Sequence, residues 1–323
     1  MAIMIELEKQ FAETMKSIAR RAALKDYVEQ TPSIYHMLQR AAARYVTGDD
    51  RAAGLEAGSA LVNKGYAISI EYIGENTADV QSCEAAALEM EQLIQSLIDR
   101  GIPARVSFDL SHIGLSIDHA FAYKQLAALA EQTQRTGIEL FISMEESAKT
   151  EAILSIYKRA AAVYPNMGIT LQAQLHLTAQ HLNDLQTDSR RLRLVKGAYQ
   201  EPVELALSRS DALNERYLQL LEQSIDKGHR VSIATHDERI IDEVINRGWA
   251  LKPGVEFEML YGIRPDLSSK LRRAGYPVRI YLTYGHEWYL YLCHRIAEHP
   301  PNLYQAVIDI AADRPIDSVR DYE

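Results

Sequence analysis

Cysteine is nearly absent from this chain: Cys83 and Cys293 are the two in 323 residues, far apart and in no metal or redox spacing. That argues against a disulfide framework and for two packed thiols in a reducing compartment. No apolar run reaches the length of a membrane span, and the acidic, amphipathic start Met1–Phe11 does not read as a secretory signal. No basic block interleaved with aromatics occurs and the net charge is −9, which argues against nucleic acid as a partner. The chain also lacks G-x-G-x-x-G after its first strand-like run and has no G-x-S-x-G elbow. His286-Glu287 has no second histidine, and His176 and His181 stand five apart, so no catalytic metal is expected. What is there, 47% hydrophobic and 24% charged residues, suits an ordinary soluble globular protein, expected in the cytoplasm.

From Tyr66 onward short β-rich runs alternate with longer amphipathic segments. The strand-like runs are 67–73, 104–110, 139–144, 170–173, 191–196, 230–235, 255–259 and 278–282. Helical periodicity lies between them at 80–100, 117–136, 148–164, 178–185, 202–227, 237–247 and 264–275, with a last helix near 287–298. Gly101-Ile102-Pro103, Gly137, Gly228 and Gly275-Tyr276-Pro277 end helices just before the next strand. Eight βα units predict a (β/α)8 TIM-like barrel, with a doubly wound open sheet as the alternative. Residues 1–65 read as a helical arm (5–29, 32–46 and 53–63), 66–302 as the barrel, and 303–323 as a short helix (303–312) and polar tail.

In such a barrel the chemistry sits at the carboxyl ends of the strands. Here those ends carry Glu71 and Glu75; Asp109, Ser111 and His112; Ser143, Glu145 and Glu146; Gln172 and Gln174; Lys196 and Tyr199; Thr235, His236 and Asp237; Glu258 and Tyr261; Tyr281 and Tyr284. The run Arg193-Leu194-Val195-Lys196-Gly197-Ala198-Tyr199 delivers a cation and a bare stretch of backbone to one strand end, a combination suited to a ligand. On the last helix Tyr291, His294, Arg295 and Glu298 fall at i, i+3, i+4 and i+7, one face extended by Trp288. An arginine on such an aromatic-rich face, aimed at the barrel mouth, is a natural anion clamp.

With these residues in hand, the chain resembles the proline dehydrogenase family, in particular its monofunctional bacterial members. The likeness rests on RLVKGAY (193–199), ATHD (234–237), FEMLYG (257–262), RIY (279–281) with Tyr284-Gly285, and YLCHRIAEHPPN (291–302), and runs from about Gly65 to Asn302. The resemblance implies a flavoenzyme on a distorted (β/α)8 barrel that uses FAD to oxidise a cyclic secondary amine, with a membrane quinone as acceptor and a cytoplasmic protein peripheral to the inner membrane. It implies that Arg193, Val195, Lys196, Gly197 and Ala198 form the flavin-binding strand, that Gln172 meets the flavin pyrimidine side, and that Thr235 and His236 hold the phosphate and ribose region. Tyr199, Leu260 and Tyr281 correspond to substrate-pocket walls, Arg295 to the second of the family's paired arginines, and Glu298 to the acid that braces them. Four positions depart from the family: His294 stands for the first carboxylate-binding arginine, Asp109 for the active-site lysine, Ser143 for an aspartate near it, and Glu258 for a glutamine. We therefore count Asp109, Tyr199, Leu260, Tyr281, Tyr291, His294, Arg295 and Glu298 as candidate catalytic residues. The departures point to a pocket retuned for a substrate other than free proline. A Schiff-base lyase acting through Lys196, and a non-catalytic homologue that binds flavin, are the competing readings.

Overall fold

The computed structural model describes residues 2–19, 21–185, 191–299, 301–311 and 317–323. Parts of four expected features lie outside them: Arg20 of the first helix, Pro300 of the last motif, Ala312 of the final helix and residues 313–316 of the tail. Four helices come first: α1 (Ala2–Ala19), α2 (Ala22–Glu29), α3 (Pro32–Ala42) and α4 (Arg51–Asn63). The chain then alternates through β1 (Ala67–Tyr72), α5 (Val80–Arg100), β2 (Ala104–Phe108), α6 (His119–Thr133), β3 (Glu139–Ile142), α7 (Thr150–Ala161), β4 (Met167–Gln172) and α8 (Thr178–Asn183). It continues with β5 (Arg191–Val195), α9 (Asp211–Asp226), β6 (Arg230–Ala234), α10 (Glu238–Asn246), β7 (Val255–Leu260), α11 (Pro265–Arg273), β8 (Val278–Tyr284), α12 (Trp288–Glu298) and α13 (Asn302–Ala311). The eight strands pair in parallel and in chain order, and β8 closes on β1, so the expected (β/α)8 barrel is present.

Side-chain alternation explains the closure. One face of each strand is apolar and buried against the helices: Ile68 and Ile70, Val106 and Phe108, Leu140 and Ile142, Leu192 and Leu194, Val231 and Ile233. Helix starts are fixed by side-chain caps, Asp79 to Ser82 N–H, Asp118 to Phe121 N–H and Asp237 to Arg239 N–H. The helix expected from Pro202 begins instead at Asp211, capped by Ser210. Residues 205–207 are taken by another partner, because His176 N–H donates to Leu205 O and Leu207 N–H to Gln174 O. Both cysteines are buried and free, as expected.

The amino-terminal helices pack on α12 through Phe11, Met15, Ile18, Trp288, Tyr289, Leu292 and Cys293, and Lys25 pairs with Glu287 at 2.5 Å. The polar tail is less polar in place than in sequence: Tyr322 is buried, stacks on Tyr261 and accepts from Gly262 N–H at 2.8 Å. Gly262 has φ +74°, and a Cβ there would lie 1.9 Å from Arg44 O. Gly262→Ala should therefore destabilise the protein by roughly 1–3 kcal/mol from backbone strain alone, read as a lower urea midpoint at unchanged slope.

Candidate active site

Inside the cylinder the strands carry charge rather than methyl groups. Arg105 of β2 is fully buried and reaches across the barrel to Glu258 (3.0 Å) and Glu256 (2.9 Å) of β7. Glu256 also receives Arg279 at 3.0 Å and Ser232 Oγ at 2.7 Å. Arg193 of β5 grips Glu258 with two bonds, Nε to Oε2 at 2.9 Å and Nη2 to Oε1 at 2.7 Å, and Ser69 Oγ donates to the same carboxylate at 2.7 Å. Phe141 lies between two guanidiniums, 4.0 Å from that of Arg105 and 4.7 Å from that of Arg193. Gly168 makes room for this ring, since a Cβ there would sit 2.1 Å from it. Burial opposes ionisation of both glutamates, yet the arginines overcome it: Glu256 is held down to about 2, and Glu258 well below the usual carboxylate range. Glu258 thus lies beneath the mouth as the anchor of Arg193. Sequence reading noted its departure from glutamine but missed the network, whose signal was the alternation of charged or polar residues in ARVSF, RLRLV and VEFEML.

Above this floor, the β4–β6 side of the mouth gathers the residues expected to meet a cofactor. Lys196 Nζ donates to Asp237 Oδ2 (2.6 Å) and Asn214 Oδ1 (2.7 Å), and burial lowers its pKa despite the carboxylate. Gly197 adopts φ +114°, and a Cβ would come 2.3 Å from Gln174 Cδ, so only glycine fits this crossing. Gln172 is buried, its amide donating to Glu145 O at 2.7 Å and its oxygen accepting from Gln174 at 3.2 Å. Thr235 Oγ1 accepts from Asp237 N–H, and His236 Nε2 from Leu260 N–H at 3.0 Å. Burial drives His236 down to about 4, so it is neutral and carries its proton on Nδ1. A lysine, an arginine (Arg209, bonded to Gly197 O), amides and hydroxyls around a side-chain-free crossing form a donor set that fits an anionic, planar dinucleotide.

The opposite side of the mouth is acidic. Tyr281 Oη donates to Glu71 Oε2 at 2.6 Å, and Tyr199 Oη to Glu75 Oε2 at 3.4 Å. Glu145 is fully buried, accepts Ser111 N–H at 3.0 Å and pairs with Lys149 at 2.6 Å. Burial, with Glu145, Glu71 and Glu75 beside it, pushes Asp109 well above the ordinary carboxylate range. Glu71 is pushed up to about 7, chiefly by burial, although Tyr281, Arg193 and Arg295 favour its charged form. Lys149, which sequence reading did not select, supplies a cation on this side, bound to Glu145 and Glu146. It ends the 3-10 turn Ser147–Lys149, beyond where strand-end counting stops looking.

Helix α12 crosses the strand ends. Arg295 is buried, its guanidinium 4.7 Å from the Tyr291 ring and paired with Glu298 at 2.9 Å, while its Nε has no hydrogen-bond partner. His294 lines a cavity of about 290 Å³ together with Ala19, Glu75, Asn76, Glu146, Tyr199 and Leu290. Seven of the eight candidate catalytic residues thus gather around Glu71, Arg193 and this cavity. Leu260 joins them through its backbone bond to His236.

The profile of the family described as proline dehydrogenase matches residues 55–303. The chain belongs to the proline dehydrogenase family. It is 30% identical over 268 residues to proline dehydrogenase 2 of Bacillus subtilis, covering 81% of this chain and 88% of that one. With the proline dehydrogenase of Deinococcus radiodurans it shares 29% identity over 306 residues, 92% of this chain and 96% of the relative. Among solved structures, the proline utilization A protein of Bdellovibrio bacteriovorus inactivated by N-propargylglycine superposes with a TM-score of 0.75 at 18% identity. That match covers 90% of this chain but 35% of the longer protein, and it speaks for the fold alone. The protein is thus a proline dehydrogenase-like oxidoreductase of a flavin-dependent family.

Proposed function

We propose that this protein is an FAD-dependent dehydrogenase of a cyclic secondary amine, with a pocket suited to proline derivatives or related amines better than to free proline. FAD, when bound, supplies the hydride acceptor, and the imine product leaves. Arg193, Val195, Lys196, Gly197, Ala198, Gln172, Thr235 and His236 would hold it: Lys196 and the neutral His236 through charge and hydrogen bonds, Gly197 by leaving room for close approach. Tyr199, Leu260 and Tyr281 wall the substrate, excluding water and fixing the ring. Arg295, braced by Glu298, is the cation offered to an anionic substrate group.

The observation that carries the substrate reading is the half-buried Asp109 among Glu71, Glu75 and Glu145. A free carboxylate entering beside it meets repulsion, whereas an ester, amide or thioester, or an additional ammonium, does not. Lys196 is pinned by Asp237 and Asn214, an arrangement that supports a binding role over a Schiff-base nucleophile. Among the described residues no helix is long and apolar enough to cross a membrane, so a quinone acceptor would be reached from the membrane surface.

Purified protein should show the absorption bands of an oxidised flavin and bleach anaerobically with a panel of cyclic amines. A proline ester or amide should give a higher kcat/KM than L-proline. A high kcat/KM for free proline would end the retuned-pocket reading, and bound flavin that no amine reduces would favour a non-catalytic homologue.

A further inference from the structure

A saturated secondary amine is an ammonium at neutral pH, as lysine is. Loss of hydride from its ring carbon draws on the nitrogen lone pair, which the ammonium lacks. A group at the mouth must take that proton, and most of the carboxylates are committed. Glu256 and Glu258 are locked to arginines, Glu298 to Arg295 and Glu145 to Lys149. His236 Nε2 is occupied by Leu260 N–H. Glu71 differs. It stands at the carboxyl end of β1, its Oε2 accepts the Tyr281 hydroxyl at 2.6 Å, and among the described residues no cation lies within ion-pair distance of it.

We propose that Glu71 accepts the substrate's ammonium proton, with the Tyr281 hydroxyl as the relay. This rests on the reading above that the substrate is a cyclic secondary amine. In the step the amine N–H bond breaks as a new Tyr281 O–H bond forms, and the original Tyr281 proton passes to Glu71 Oε2. The net change is a neutral amine and a protonated Glu71, with Tyr281 restored; the proton later leaves to water. The groups facing Glu71 are Tyr281 from β8, Arg193 from β5, Asp109 just past β2, Glu75 beyond β1, and Tyr291 and Arg295 from α12. The three cationic or hydroxyl donors, Arg193, Arg295 and Tyr281, favour its charged form, and burial with Glu75 opposes it, so that it titrates near neutrality. Burial, with Glu145, Glu71 and Glu75 beside it, disfavours the charged form of Asp109, which is the form an acceptor needs.

The test compares anaerobic flavin reduction in wild type and Glu71→Gln, using a strongly basic cyclic amine and a weakly basic analogue that is unprotonated at the assay pH. Wild-type kcat/KM for the basic amine should rise with pH through a limb near 7. In Glu71→Gln that limb should vanish, with a loss of roughly 100-fold or more at pH 7, while the weakly basic analogue loses less than about tenfold. Should Glu71→Gln fail to retain flavin, Tyr281→Phe serves the same comparison and should show the same selective loss. An equal loss for both amines, a surviving limb, or its disappearance in Asp109→Asn alone would overturn the assignment. A wild type that no amine bleaches would instead refute the amine dehydrogenase reading.

Discussion

Glu258→Ala should destabilise the protein by about 3–5 kcal/mol, because it leaves the buried guanidinium of Arg193 without a carboxylate and takes one from Arg105. Arg193 would lose both short bonds and Arg105 one of its three acidic partners. Glu258→Gln keeps the shape and should fall between Ala and wild type. Urea unfolding at pH 7 measures the difference, and a loss below about 1 kcal/mol would contradict this account of the floor. The same carboxylates set the acid response. Glu256 and Glu258 have folded-state pKa values below the ordinary 4.5, so their stabilising contribution is complete above that value. It is lost as pH falls from about 4.5 towards 2, the range over which the unfolded chain takes up protons the folded one refuses. In Glu258→Ala the fall in stability across this window should be shallower.

The second large effect is a gain. Asp109→Lys, Ser143→Asp and His294→Arg together should raise kcat/KM for free L-proline roughly 10- to 1,000-fold, the span of about 1.4–4 kcal/mol of carboxylate affinity. A cation introduced at position 109 would meet Glu71, Glu75 and Glu145, which already repel the resident carboxyl, so it needs no new partner to be tolerated. Position 294 faces the cavity beside Glu75 and Glu146, where an arginine would likewise find acids. The readout is the ratio of kcat/KM for L-proline to that for its amide. If this ratio changes less than about twofold, the departures at these positions do not set substrate choice.

The barrel was legible because the signals that make a strand also bound it: β-branched alternation, then a glycine or proline at most returns. Strand edges came within about three residues, and the helix at Val80–Arg100 matched at both ends. The start of α9 was not legible, since Pro202 looks like a helical first residue while Ser210 is the true cap. What displaced it was the bridge from Leu175 to Ala206, a contact between distant segments that local propensity does not register. The floor was hidden for a different reason. Alternating charge in a strand usually marks a face open to water, and nothing in the chain beside Arg105 or Glu256 marks theirs as inward until the sheet closes on itself. Which acid then meets which base depends on the strands that oppose one another across the cylinder, and this is set by closure rather than by neighbours in the chain. The mouth was legible residue by residue, through strand-end counting and family resemblance. Its acidic character came from Glu71, Glu75 and Glu145 acting together with Asp109.

The interlocked charges beneath the mouth have a bearing on how such a protein diversifies. A tier in which Arg105 answers to three acids and Glu256 to three arginines makes a solitary exchange costly, because the replacement strands a partner. Asp109, Ser143 and His294 stand outside that lattice. Drift towards a new guest can therefore accumulate in the upper storey while the foundation stays fixed.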